Sequence, residues 1–116
     1  MARCVVEATI RASAPRPVAW DVLSDERCWT DRGRRLVDLR EPPSRFGYAL
    51  SSRLPVRDYH AVVTLTEAGP DATNIHWEAR FEGSRPVRAL VETTVRQAAE
   101  AVAAEAERRA GAASAA

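Results

Sequence analysis

Three stretches of polar–apolar alternation constrain this chain more than anything else in it. "RFGYALSS" alternates through Phe46, Tyr48 and Leu50, and "DYHAVVTLTE" through Tyr59, Ala61, Val63 and Leu65. "ATNIHWEARFE" alternates through Ile75, Trp77, Ala79 and Phe81, with Asn74, His76, Glu78 and Arg80 opposite. Period two at this length predicts strands with one buried face. A tight turn at "AGPDA" sets Leu65 opposite Ile75, Val63 opposite Trp77, Ala61 opposite Ala79 and Tyr59 opposite Phe81. The preceding hairpin then sets Phe46 by Leu65, Tyr48 by Val63, Leu50 by Ala61 and Ser52 by Tyr59. Both pairings put every apolar side chain on one face, as register demands where that face is buried.

The remaining segments fit around this sheet. "CVVEATIR" places Val6, Ala8 and Ile10 inward and Val5, Glu7, Thr9 and Arg11 outward, a half-buried first strand. "SAPRPVAWDVLSD" predicts a short helix over 15–24, with Ser13 as N-cap and Val18, Val22 and Leu23 as its apolar stripe. A loose turn carrying Trp29 follows. "RRLVDLREPP" is a brief strand stopped by Pro42 and Pro43. From Pro86 the period becomes helical to about Arg109, with Val87, Leu90, Val91, Val95, Ala98, Val102 and Ala106 as the stripe. The reading is a single domain over 1–110, with 111–116 a frayed tail.

Composition narrows the function classes. A chain of 116 residues is one domain, long enough for one core. All 17 basic residues are arginine, but they are interleaved with 16 acids and the net charge is +1. That balance gives no electrostatic case for nucleic acid or an anionic membrane. Cys4 and Cys28 lack metal-finger spacing, and His60 and His76 form no HxH or HxxxH pair, so no metal site and no cofactor are expected. Two unpaired thiols fit a reducing compartment. The first residues are too short and too alternating for a signal peptide or a membrane span, so the expectation is cytoplasmic.

Strand, helix, antiparallel meander and long C-terminal helix is the helix-grip order, an α+β fold. "VEATIRASAPRPVAWDVLSD" with Trp29, and "EPPSRFGYALSSRLPVRDYHAVVTLTEAGPDATNIHWEARFEG", resemble the START/SRPBCC superfamily in its polyketide cyclase/dehydrase and lipid-transport branch. The resemblance implies a curved sheet wrapped on the last helix around an apolar cavity. Family members carry a longer stretch before "EPP"; here Trp29 and Glu41 are 12 positions apart, so about five strands are expected. The cavity would then be smaller, or open at one side, and an edge strand near 35–40 would be exposed unless Arg34, Arg35, Asp38, Arg40 and the prolines blunt it or a homodimer covers it.

The resemblance makes the inward residues the candidate ligand wall: Phe46, Tyr48, Leu50, Tyr59, Val63, Trp77 and Phe81 from the strands, with Leu90, Val91 and Val95 from the helix. Small helix residues (Ala98, Ala99, Ala103, Ala106) leave room there. The Tyr59 hydroxyl either donates to a ligand oxygen or sits at the rim in water. Of Trp20 and Trp29, one packs under the sheet and one closes the mouth; the sequence does not assign which. "LPVRDYH" groups Arg57, Asp58, Tyr59 and His60, but alternation sends Tyr59 inward and Asp58 and His60 outward. Groups on opposite faces cannot form one proton-transfer set, so no catalytic residue is expected and the stretch reads as a corner. The leading function is binding of a small hydrophobic or amphipathic, lipid- or polyketide-like molecule. The alternatives are an aromatase/cyclase or dehydratase acting on a polyketide-like substrate, and an interaction module dimerising through the shortened sheet.

Overall fold

The structure, a computed structural model, describes residues 2–25, 34–51 and 56–115. Its elements run β1 (Ala2–Ala12), α1 (Arg16–Ser24), β2 (Arg34–Glu41), β3 (Arg45–Ser51), β4 (Arg57–Gly69), β5 (Ala72–Gly83) and α2 (Arg85–Ala115). The five strands form one antiparallel sheet in the order β1-β5-β4-β3-β2, and α2 covers one face. This is the helix-grip architecture, with β1 and β2 as the edges.

The alternation of β5 decides which face is which. Ile75, Trp77, Ala79 and Phe81 are wholly buried, and β1 matches them with Cys4, Val6 and Ala8. Val5 faces out, as its place in the alternation requires, and Ile10 is half-buried. Pairing of β4 with β5 follows the expected register at Leu65–Ile75, Val63–Trp77 and Ala61–Ala79. Between Arg57 and His60 the ladder is broken by a bulge, where Asp58 takes φ 54°. Even so, the Tyr59 and Phe81 rings stack with centroids 6.1 Å apart.

The β3–β4 register differs from expectation by two residues. Phe46 lies opposite Val63 and Tyr48 opposite Ala61, not opposite Leu65 and Val63. A two-residue slide keeps every side chain on its own face, so the apolar pattern cannot distinguish the two registers. The shift builds two rows of complementary size across the sheet. One row is Phe46, Val63, Trp77 and Ala8; the other is Tyr48, Ala61, Ala79 and Val6. Ser52 lies outside the described residues.

Pro15, not Ser13, is the N-cap of α1, and it offers no side-chain hydrogen bond. The Ser13 amide instead donates to Glu107 Oε1 of α2 at 3.1 Å. Val22 and Leu23 are buried with Ala19 and Trp20, while Val18 is only half-buried. Along α2 the buried seam is Val91, Val95, Ala99, Val102, Ala103 and Ala106. Leu90, expected inside, is 50% exposed. At 3.6 residues per turn it points about 100° away from Val91, and the seam follows Val91. The helix continues through Gly111 to Ala115 rather than ending near Arg109.

Polar contacts join the layers where their ends meet. Buried Thr73 donates from Oγ1 to the Ala14 carbonyl at 2.8 Å. Arg16 reaches Ser44 Oγ (3.3 Å) and Glu67 (3.5 Å), tying α1 to the β2–β3 turn and to β4. Near the other end of α2, Arg109 meets Asp25 at 3.2 Å. Hydrogen bonds from Arg108 and Arg109 hold the Glu105 carboxyl below its ordinary pKa.

One glycine shapes the β2 edge. A bulge between Val37 and Leu39 brings both Asp38 and Leu39 against Gly47. Across that glycine, His60 Nε2 donates to Asp38 Oδ2 at 2.8 Å, joining β2 to β4 over the back of β3. A Cβ at Gly47 would lie 2.9 Å from the Leu39 Cβ and 3.3 Å from Asp38 Oδ1. The Leu39 Cβ is fixed to its own backbone, so β2 itself would have to move. Gly47→Ala is therefore expected to lower unfolding free energy by about 1–3 kcal/mol. Urea denaturation checks this; an unchanged midpoint would show that β2 yields freely.

Candidate ligand-binding site

Alternation brings six of the seven proposed strand residues to the concave face, all buried: Phe46, Tyr48, Tyr59, Val63, Trp77 and Phe81. The side chain of Leu50, the seventh, lies outside the described residues. Val91 and Val95 of α2 belong to the same core, and Leu90 does not.

The rings form a branched chain with Tyr48 at its fork. Tyr48 meets Phe46 at 6.3 Å, Tyr59 at 6.5 Å and, edge-on, Trp77 at 6.3 Å between centroids. Phe46 extends the chain to Trp20 of α1 at 6.0 Å, also edge-on, and Tyr59 extends it to Phe81. Such edge-on and offset pairs contribute about 0.5–1.5 kcal/mol each beyond the area they bury. The two-residue register shift makes this fork: Tyr48 faces Ala61 and Ala79, whose small side chains let its ring reach both Trp77 and Tyr59. Trp20, left unassigned by the sequence, meets the Phe46 ring and keeps 8% accessibility. Trp29 lies outside the described residues.

The helix does not cover the concave face evenly. Among the described residues its backbone packs closely on β1, β5 and α1, while α1 is the helix packed on β4. Phe46 lies against Trp20 of α1, and Tyr48 and Tyr59 continue the aromatic row along β3 and β4. Val63, Trp77, Ala79 and Phe81 are at 0%, whereas Tyr48 and Tyr59 keep 4% and 7% and Trp20 keeps 8%, values matched on β1 by Cys4 (7%) and Ala8 (8%). The inner rings are packed shut, and the margin of the site runs along Trp20, Tyr48 and Tyr59. Arg40 lies over the Phe46 ring with its guanidinium carbon 5.8 Å from the centroid, at the β2 side of this margin.

Polar chemistry on the concave face is sparse. Among the described residues its buried polar groups are the tyrosine hydroxyls, the indole N–H of Trp77 and Thr73, which is hydrogen-bonded to the backbone. His60 and His76 lie on the convex face, bonded to Asp38 and Thr9. Arg57 and Asp58 are exposed.

A family model described as "Polyketide cyclase / dehydrase and lipid transport" matches residues 5–112. The chain belongs to that family. No curated protein matches the sequence at a significant level. Solved structures share the fold at low identity. A protein from Nitrosospira multiformis superposes with a TM-score of 0.73 at 15% identity, covering 88% of this chain and 95% of its own. Norcoclaurine synthase from Thalictrum flavum, a point mutant in complex with a transition-state analogue, gives 0.68 at 10%, covering 93% and 96%. CalU16 from Micromonospora echinospora gives 0.68 at 16%, covering 88% and 81%. No helix among the described residues is long and apolar enough to cross a membrane.

Within this polyketide cyclase/dehydrase and lipid-transport fold, one residue of the "RDYH" stretch, Asp58, answers to backbone shape. Asp58 holds a left-handed conformation at the β4 bulge, a region that Asp and Asn tolerate and that β-branched residues resist. Asp58→Val is expected to cost about 1–2 kcal/mol and Asp58→Asn close to nothing. Thermal unfolding of the two variants checks it. Equal losses would mean that the carboxylate, rather than the conformation, is what this corner needs.

Proposed function

We propose that this protein binds a small apolar or amphipathic molecule, lipid- or polyketide-like, between α2 and the concave side of β3 and β4. The observation that carries this reading is the aromatic row of Phe46, Tyr48 and Tyr59 on β3 and β4, beyond the strands on which α2 packs closely. Family membership supports it, and so does the character of the wall, which is aromatic with two hydroxyl-tipped rings at its margin. Such a surface favours apolar contact with one or two orienting polar groups.

Magnitudes set what the ligand must be. Burying about 200 Å² of apolar surface gives roughly 5 kcal/mol, millimolar-to-submillimolar affinity before association costs are subtracted. Useful affinity therefore needs a larger body, a fused-ring system or a medium-length acyl chain. Because the inner rings are at 0% accessibility, entry requires the Trp20–Tyr48–Tyr59 margin to part.

Chemistry on the bound molecule is the second reading, supported by a structural relative that is a synthase; one of its structures holds dopamine and hydroxybenzaldehyde. In that reading the site would fold a flexible substrate into a reactive geometry, with Tyr59 or an arginine such as Arg40 acting on an enolate or hydroxyl. A homodimer formed through the β2 edge is the third.

The test begins with native mass spectrometry of the freshly purified protein, followed by titration with 2-naphthol and with dodecanoate, read by tryptophan fluorescence. We expect a retained mass of a few hundred daltons or saturable one-to-one binding, weakened at least tenfold by Tyr48→Ala. A clean apo spectrum together with no saturable response to either probe would overturn the binding reading, and a tight apo dimer would favour the third. Turnover lost in Tyr59→Phe with binding intact would favour the second.

A further inference from the structure

On the convex face, away from the proposed ligand wall, β1 and β5 bring together an unusual group. Glu7 and Glu78 lie directly opposite one another in the β1–β5 ladder, a pairing of like charges that destabilises a sheet unless it is neutralised. His76 stands two residues along β5 on the same face. One donor atom from each of Glu7, His76 and Glu78 lies within 4.8 Å of the others. The three side chains remain accessible, at 57%, 38% and 26%.

We propose that Glu7, His76 and Glu78 form a surface site for a zinc-type first-row divalent cation. A tetrahedral ion with bonds of about 2 Å needs its donors about 3.3 Å apart. His76 Nε2 and Glu7 Oε1 are already at 3.6 Å and the Glu78 donor lies within 4.8 Å of both, which leaves the fourth tetrahedral position to water. Two carboxylates balance the charge of a dication. The imidazole separates this group from an ordinary acidic patch, because it selects zinc, nickel, copper or cobalt over magnesium and calcium.

The surroundings of His76 fit that role. Its Nδ1 lies 2.9 Å from Thr9 Oγ1, the residue directly opposite it on β1. With Nδ1–H donating to that hydroxyl, Nε2 carries the lone pair and faces the glutamates. An outer hydrogen bond of this kind fixes the tautomer and the ring plane of metal-binding histidines. Arg80 Nε holds Glu78 Oε1 at 2.8 Å. A monodentate metal–carboxylate bond uses one oxygen, so Arg80 and the cation can share Glu78. A motif search within single strands misses this group because its ligands come from two strands; only the β1–β5 register joins them.

The test uses tag-free protein stripped with EDTA and titrated with zinc chloride near pH 7.5, by calorimetry and by thermal unfolding. The expected result is one zinc per chain and a raised Tm. His76→Gln and Glu7→Gln should each weaken uptake at least tenfold. His60→Gln, a histidine on the same face paired with Asp38, should leave it unchanged. No saturable uptake up to about 0.1 mM free zinc would overturn the site. So would uptake that is indifferent to His76→Gln and Glu7→Gln, or lost equally in His60→Gln.

Discussion

Trp77 is the contact on which the rest of the sheet depends. It sits midway along β5, has Ala8 opposite on β1 and Val63 opposite on β4, and is wholly buried beneath α2's side of the sheet. A residue of that size needs small or branched neighbours on both flanking strands, and a slip of one residue would expose it to water. Its burial therefore opposes a one-residue slip of either adjacent ladder. Phe46 completes that row from β3, and the neighbouring row is Tyr48, Ala61, Ala79 and Val6. The small Ala61 and Ala79 beside Tyr48 leave the rings of the concave wall leaning on each other.

Much of this architecture was legible in the chain because period-two alternation is a strong signal. The strands on either side of α1 and through the meander, with their inward faces, follow from it; the long C-terminal helix follows from the change to helical period after Pro86, and the count of five from the short stretch before "EPP". What alternation cannot carry is position along a ladder in steps of two, and there the β3–β4 expectation missed. That miss mattered to the site: the true register, not the expected one, lets Tyr48 reach Phe46, Tyr59 and Trp77 together. Leu90 and Ser13 show the same limit for helices. An apolar stripe drawn over nearly half the helix circumference does not say which edge meets the sheet, and a serine before a helix does not cap it when Pro15 takes the place.

The candidate site was legible as a set of inward rings and opaque as a shape. No single stretch of sequence tells that α2 packs closely on β1 and β5 while α1 packs on β4. The polar corner at 57–60 is the converse case, a run that looks chemical and is explained by a bulge and a left-handed Asp58. On the back of the sheet, the Asp38–His60 bond over Gly47 and the group around His76 arise from strands far apart in the chain, so only the assembled ladder shows them.

The most direct measurement is a map of aromatic and methyl NMR shifts on adding 2-naphthol to isotope-labelled protein. Binding at the proposed site between α2 and the concave side of β3 and β4 predicts saturable shifts at the rings of Phe46, Tyr48, Tyr59 and Trp20, with β1 and the convex face unchanged. Shifts scattered over the surface, or centred on exposed Leu90 with those rings silent, would contradict it.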